Sequence, residues 1–137
     1  MNQHAPIANI MTTELFKLNA SEGLIKAKEM FDKKKVRHLP IVSNGKLVGI
    51  MSLTDLMRLS FASNFGTDQD SADMAIFDML SVEQVMKHHP KTVTSTQSIK
   101  EVAEMLTKEE FHALPVVDDD KLVGIVTTTD VIKYLLQ

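Results

Sequence analysis

The sequence predicts a mixed α/β (α+β) fold made of two copies of one β-α-β-β-α unit. Three observations carry that expectation. Sliding the chain by 75 positions, with no gap, lays Leu39-Pro40 on Leu114-Pro115, Lys46–Ile50 on Lys121–Ile125, Thr54-Asp55 on Thr129-Asp130 and Met11 on Met86. Substituted positions keep their character, as in Ile10/Val85, Leu24/Ile99, Phe31/Leu106, Ile41/Val116 and Ser52/Thr127. Within each copy, apolar residues at helical spacing give way to two short apolar runs separated by turn residues. A register of this kind means one structural unit used twice, so a site at the unit's edge is expected twice. The organisation read from it is a first repeat over residues 7–62, a linker over 63–81 and a second repeat over 82–137.

The elements follow in chain order. A short strand is expected near Phe16–Leu18, and its counterpart near Thr92–Val93. A helix follows, carried by Leu24, Ala27, Met30 and Phe31 in the first copy and by Ile99, Val102, Ala103 and Leu106 in the second. Ser98 with Glu101 three residues later has the capping-box pattern, whereas Gly23 offers the first copy no such start. Next comes a strand, Leu39–Val42 or Leu114–Val117. A turn, Ser43-Asn44-Gly45 or Asp118-Asp119-Asp120, leads to a return strand, Lys46–Ser52 or Lys121–Thr127. Asn-Gly is a strong hairpin signal because both residues tolerate positive φ. A last helix runs from about Asp55 to Ala62, and from about Asp130 to the C-terminus. In the linker, Ser63–Ser71 has loop composition. Met74, Ile76, Phe77, Met79 and Leu80 form an apolar cluster, read as packing onto the second repeat, with a contact surface for a second subunit as the other reading.

Composition bounds what such a chain does. It has 137 residues, enough for one compact domain or two small units that share burial, since about 60 residues alone bury too little surface for comfortable stability. No apolar run approaches the roughly 18–20 residues that span a bilayer, and the N-terminus lacks the basic start and apolar stretch of a signal peptide. Membrane insertion and secretion are not expected. The absence of cysteine excludes disulfides, thiolate metal sites and cysteine nucleophiles, and fits a cytoplasmic protein. A net charge of −3 argues against nucleic acid, whose binding rests on many phosphate contacts. The five histidines, His4, His38, His88, His89 and His112, show no helical metal-ligand spacing. His88-His89 before Pro90 reads as a solvated loop. There is no Gly-rich phosphate loop, no Gly-x-Ser-x-Gly elbow and no nucleophile–base–orienter set, so no enzyme activity is expected. Of nine methionines, Met11/Met86 and Met30/Met105 match across the repeats, as core-filling residues would.

The ordered pieces Arg37-His38-Leu39-Pro40-Ile41-Val42, Lys46–Ile50 and Ser52-Leu53-Thr54-Asp55, answered by His112-Ala113-Leu114-Pro115-Val116-Val117, Lys121–Ile125 and Thr127-Thr128-Thr129-Asp130, resemble tandem cystathionine-β-synthase (CBS) domains paired as a Bateman module. The resemblance runs from about Ile10 to Leu136 and leaves no segment of this sequence for a separate catalytic domain. It implies two units packed through their sheets with pseudo-twofold symmetry, and association into a flat homodimer. It further implies a stand-alone regulatory module that binds an adenine nucleotide (AMP first, then ADP or ATP) as a regulatory ligand and signals to a separate effector protein. No resident cofactor is required.

The site residues follow from the same resemblance. In the family the Gly-h-x-[Ser/Thr]-x-x-Asp region (h, apolar) lines the ligand cleft. Asp55 and Asp130 are then the ribose candidates, Ser52 and Thr127 the hydroxyls three residues earlier, and Thr54 and Thr129 neighbours able to reach phosphate. A carboxylate accepts from two ribose hydroxyls, and the adjacent helix N-terminus favours an anion. Read without the family, the same residue types are helix caps, and the two roles are compatible. Arg37 and His38 are the phosphate cations of the first copy. His112 and Ala113 stand in their place in the second, one cation fewer, so two unequal sites are expected. Leu18, Ile41, Val93 and Val116 are candidate walls for adenine and equally candidate core. A scaffold with vestigial clefts, or a sensor of another adenosyl compound such as S-adenosylmethionine or a dinucleotide, remain the alternatives.

Overall fold

The computed structural model describes residues 2–62, 75, 77–109 and 112–137, and of residues 60–62 only the backbone. The chain forms two compact units, Phe16–His89 and Met1–Leu15 with Pro90–Gln137.

In the first of these, β1 (Leu18–Asn19), α1 (Leu24–Lys34), β2 (His38–Ser43), β3 (Lys46–Ser52) and α2 (Leu53–Ala62) are followed by a short helix, α3 (Val82–Val85), and β4 (Lys87–His88). The sheet order is β1-β2-β3-β4, with β1 parallel to β2 and the other pairs antiparallel. The β2–β3 hairpin closes through Asn44 and Gly45, both at positive φ (52° and 78°), which matches the two-residue turn that suits strand twist. Helix α1 ends at Lys35 in the left-handed conformation, its N–H bonded to the Phe31 carbonyl. Its buried face, Leu24, Ala27 and Phe31, packs with Leu18, Leu39, Ile41, Met51, Leu56, Phe77, Val82 and Met86.

The second unit repeats this plan with α4 (Ile99–Lys108), β5 (Ala113–Asp118), β6 (Lys121–Thr127) and α5 (Thr128–Leu135). Ser98 caps α4 by accepting from the Glu101 N–H at 3.1 Å. The hairpin closes through Asp119 and Asp120, again both at positive φ. Val93 pairs in parallel with Val116, as Leu18 does with Ile41, although the expected strand at Thr92–Val93 is reduced to this one bridge. The core gathers Ile7, Val93, Ile99, Val102, Leu106, Leu114, Val116 and Val126.

The compact units and the sequence repeats have different edges. Thr12 pairs antiparallel with Ile125 through two backbone bonds (2.8 and 2.9 Å), and its repeat equivalent Lys87 pairs with Ile50. Likewise Pro6 bridges Ser98 while Ser81 bridges Gly23. The residues at the start of each repeat therefore pair with the return strand of the other. Gly124 and Gly49 make this possible: a Cβ on Gly124 would stand 2.8 Å from Met11 Sδ, and one on Gly49 would collide with Met86 and with the Lys87 carbonyl oxygen.

Three expectations are corrected. The apolar cluster before the second repeat serves the first repeat's core, where Phe77 is buried and Leu80 packs against it, because the chain turns back onto that sheet through α3 and β4. Met79 stays exposed, and Met74 and Ile76 lie outside the described residues. His88, read as loop, belongs to the edge strand β4, although its side chain is exposed. The final helices begin two residues before Asp55 and Asp130, at Leu53 and Thr128.

Candidate functional site

The strand-to-helix junction in each unit positions the candidate residues. In the Phe16–His89 unit, β3 ends at Ser52 and α2 begins at once. Ser52 Oγ accepts from the Asp55 N–H at 3.0 Å, so Ser52 satisfies an orphan donor of the first turn. The Leu53 N–H donates to the Arg37 carbonyl at 2.8 Å, and His38 lies opposite Ser52 in the sheet, which brings the start of β2 to the same junction. Arg37 is exposed and His38 half-buried.

Asp55 is held differently from an ordinary surface carboxylate. Its side chain is 15% exposed, and Oδ1 meets Arg58 Nη1 at 3.4 Å. Oδ2 is buried and among the described residues accepts no hydrogen bond. A buried carboxylate oxygen without a donor is costly, so it marks a place where a donor is missing. Asp55 lines a pocket of about 420 Å³ together with Leu59, Leu80, Gln84, Val85 and Lys87. That size lies within the range of small-molecule sites, and the combination of aliphatic wall, carboxylate and ammonium suits an amphipathic ligand with hydroxyls and an anionic group.

The equivalent junction in the other unit is closed upon itself. Thr127 Oγ1 accepts from the Asp130 N–H at 3.2 Å, and Asp130 Oδ2 accepts in return from the Thr127 N–H at 3.0 Å, a reciprocal capping box. Thr12 Oγ1 also donates to the Asp130 carboxylate, at 3.3 and 3.4 Å to its two oxygens. The Thr128 N–H bonds to the His112 carbonyl at 3.1 Å, as Leu53 does to Arg37. His112 is exposed, and Ala113, where the first copy has His38, is buried in β5. Thr54 and Thr129 are exposed on the first turns of their helices. Leu18, Ile41, Val93 and Val116 are core residues at 1% exposure or less.

Ser52, Asp55, Arg37 and His38 meet at one junction, and Thr127, Asp130 and His112 at the other. Lys87 and Thr12, which stand beside these junctions, are not among the residues that the motifs single out. The signal was available: both follow the matched methionines Met86 and Met11, at the same position of the repeat. Among the described residues, no helix is long and apolar enough to cross a membrane, and no three His, Cys, Asp or Glu residues group as metal ligands would.

The CBS-domain family model matches residues 7–62 and 82–137. The fold is similar to the crystal structure of the CBS-pair protein CBSX2 from Arabidopsis thaliana, at 29% identity over 97% of this chain and 95% of that one, with a TM-score of 0.83. CBSX2 was also solved in complex with AMP (29% identity, 97% of each chain, TM-score 0.79). The CBS-domain pair of protein MJ0100, in complex with 5′-methylthioadenosine and S-adenosyl-L-methionine, is 25% identical over 95% of this chain and 94% of that one, with a TM-score of 0.77. Among curated relatives, MJ1225 of Methanocaldococcus jannaschii is 27% identical over 98% of this chain, which spans 48% of that protein. The homoserine O-acetyltransferase of Methanohalobium evestigatum is matched at 24% identity over only 24% of its length. The chain thus spans about half or less of these curated relatives.

Proposed function

The chain belongs to the CBS-domain family, and on that premise we propose that it is a non-catalytic regulatory module that binds an adenine nucleotide, AMP before ADP or ATP, in the Asp55 pocket. The observation that carries this reading is the buried, unpartnered Oδ2 of Asp55 at the wall of a pocket of about 420 Å³. Ribose hydroxyls are the donors that oxygen lacks. The N–H groups at the start of α2 and the side chains of Thr54, Arg37 and His38 are the candidates for the phosphate. Leu18 and Ile41, and in the other unit Val93 and Val116, would meet adenine only where ligand entry loosens the core edge. The bound state passes to a separate effector protein or through a homodimer, in the cytoplasm, with a coupling of about 1–3 kcal/mol as is typical of allosteric pairs.

A second reading concerns the Asp130 junction. His112, Ala113 and Thr12 supply no arginine or lysine there, so a ligand at this junction would be an adenosyl compound without phosphate, of the S-adenosylmethionine class, and would have to displace Thr12 from the Asp130 carboxylate. Isothermal titration of the chain with AMP, ADP, ATP and S-adenosylmethionine tests both. Saturable heat with AMP, lost in Asp55→Ala, is the expected outcome. No heat and no thermal shift at millimolar ligand overturns the proposal and leaves the scaffold alternative.

A further inference from the structure

We infer that Lys87 is the residue that makes the Asp55 pocket select a phosphorylated ligand, and that Thr12 at the same repeat position leaves the Asp130 junction without that selectivity. The inference rests on the reading of the Asp55 pocket as an adenosine-ligand site and goes beyond it by assigning the anion preference to one side chain.

Lys87 is placed by the exchange of segments between repeats. It sits on β4, paired with Ile50 of β3, two residues before Ser52. It thus lines the pocket from the β4 side of β3, whereas Arg37 and His38 stand at the start of β2, on the other side of that strand. Its ammonium is a compact charge with three donors. The ion pairs among the described residues are Lys28–Asp32, Arg58–Asp55 and Lys91–Glu109, so Lys87 is not spent on a carboxylate. Arg58, also near Asp55, does not distinguish the two units, because Lys133 keeps a cation at its equivalent position. Position 87 against position 12 does. Where Lys87 lines a pocket beside an unpartnered carboxylate oxygen, Thr12 donates its hydroxyl to the carboxylate of Asp130. Tyr134 stands where the pocket has Leu59, its hydroxyl bound to Asn2. The same position of the repeat is a latch in one unit and a cation in the other.

The competing role for Lys87 is that of a charged guard on an edge strand, which wards off pairing with other chains. A guard makes no difference to a ligand's phosphate. The test is titration of the full chain with AMP and, separately, with adenosine, in wild type, Lys87→Thr and Lys87→Arg, with thermal unfolding confirming that each variant folds. Loss of one charge-assisted contact predicts that Lys87→Thr weakens AMP about tenfold or more, leaves adenosine within about twofold, and that Lys87→Arg restores AMP. An unchanged AMP affinity in Lys87→Thr, or an equal loss for AMP and adenosine, overturns the inference while the pocket reading stands. Wild type that binds neither compound overturns the pocket reading first and this inference with it.

Discussion

The two aspartates occupy one position of a repeated unit and do different work. Asp130 is consumed by structure: it closes a capping box with Thr127 and holds Thr12, from the far end of the chain. Asp55 receives the Ser52 cap through its N–H alone, gives one oxygen to an exposed arginine and keeps the other buried and unmatched. The same motif thus yields a joint in one unit and a carboxylate with an unmatched buried oxygen in the other. The lesson is that a motif's presence does not say whether its polar atoms are available. Their availability is set by neighbours, and here the decisive neighbours, Thr12 and Lys87, come from the segments that the repeats exchange.

The comparison can be broken hardest at the exchange itself. Gly49→Ala would drive a Cβ against Met86 and to 2.9 Å from the Lys87 carbonyl, whereas at Gly124 the nearest backbone atom, the Thr12 carbonyl oxygen, is 3.0 Å away. Overpacking of this kind costs about 1–3 kcal/mol. Chemical denaturation should place Gly49→Ala at the upper end of that range and Gly124→Ala below it. Equal costs would mean that the two exchanged segments are equally tolerant. A smaller effect separates the aspartates. Asp130→Ala should destabilise the fold by about 1–2 kcal/mol, through loss of the reciprocal cap and an orphaned Thr127 N–H. Asp55→Ala should fall within about 0.5 kcal/mol of wild type, since a long contact to an exposed arginine contributes little and an unsatisfied oxygen is removed with it. The reverse order in a denaturant titration would sink the distinction between joint and site.

The smallest effect is an acid limb that belongs to one unit. The Ser95 hydroxyl, then the Ser95 N–H, hold the Asp118 carboxyl below its ordinary value of 3.8, against a weaker opposing effect of burial. A carboxyl depressed in the folded state stabilises the fold fully above its ordinary value, and that contribution is lost as the pH falls through the folded one. Ser95→Ala should therefore lower stability at neutral pH and flatten its decline as the pH falls below the ordinary carboxyl value of 3.8. The other unit has Ala20 and Ser43 at these positions and so lacks this brace. An unchanged acid limb in Ser95→Ala would show that the brace does not act on stability.

Much of the fold was legible because its signals are local. The Asn44-Gly45 turn, the return strands Lys46–Ser52 and Lys121–Thr127, and the capping serine Ser98 each rest on a window of a few residues. Edge strand β4 was not legible, because Lys87-His88 carries no apolar alternation and its membership lies in backbone hydrogen bonds to β3. The helix starts at Leu53 and Thr128 were missed by two residues because Ser52 and Thr127, rather than the aspartates, take the cap.

By itself, the sequence determined the doubling, the order of elements within each copy and the junction residues Ser52, Asp55, Thr127 and Asp130. Those follow from φ preferences, apolar periodicity and cap chemistry, which a residue carries wherever the chain places it. Only the tertiary structure decided that Met11-Thr12 would complete the sheet of the second repeat and Met86-Lys87 that of the first. Such pairing lies in backbone bonds between residues far apart in the chain, and at both edges it is allowed by a methionine laid against a glycine that has no Cβ to keep it away.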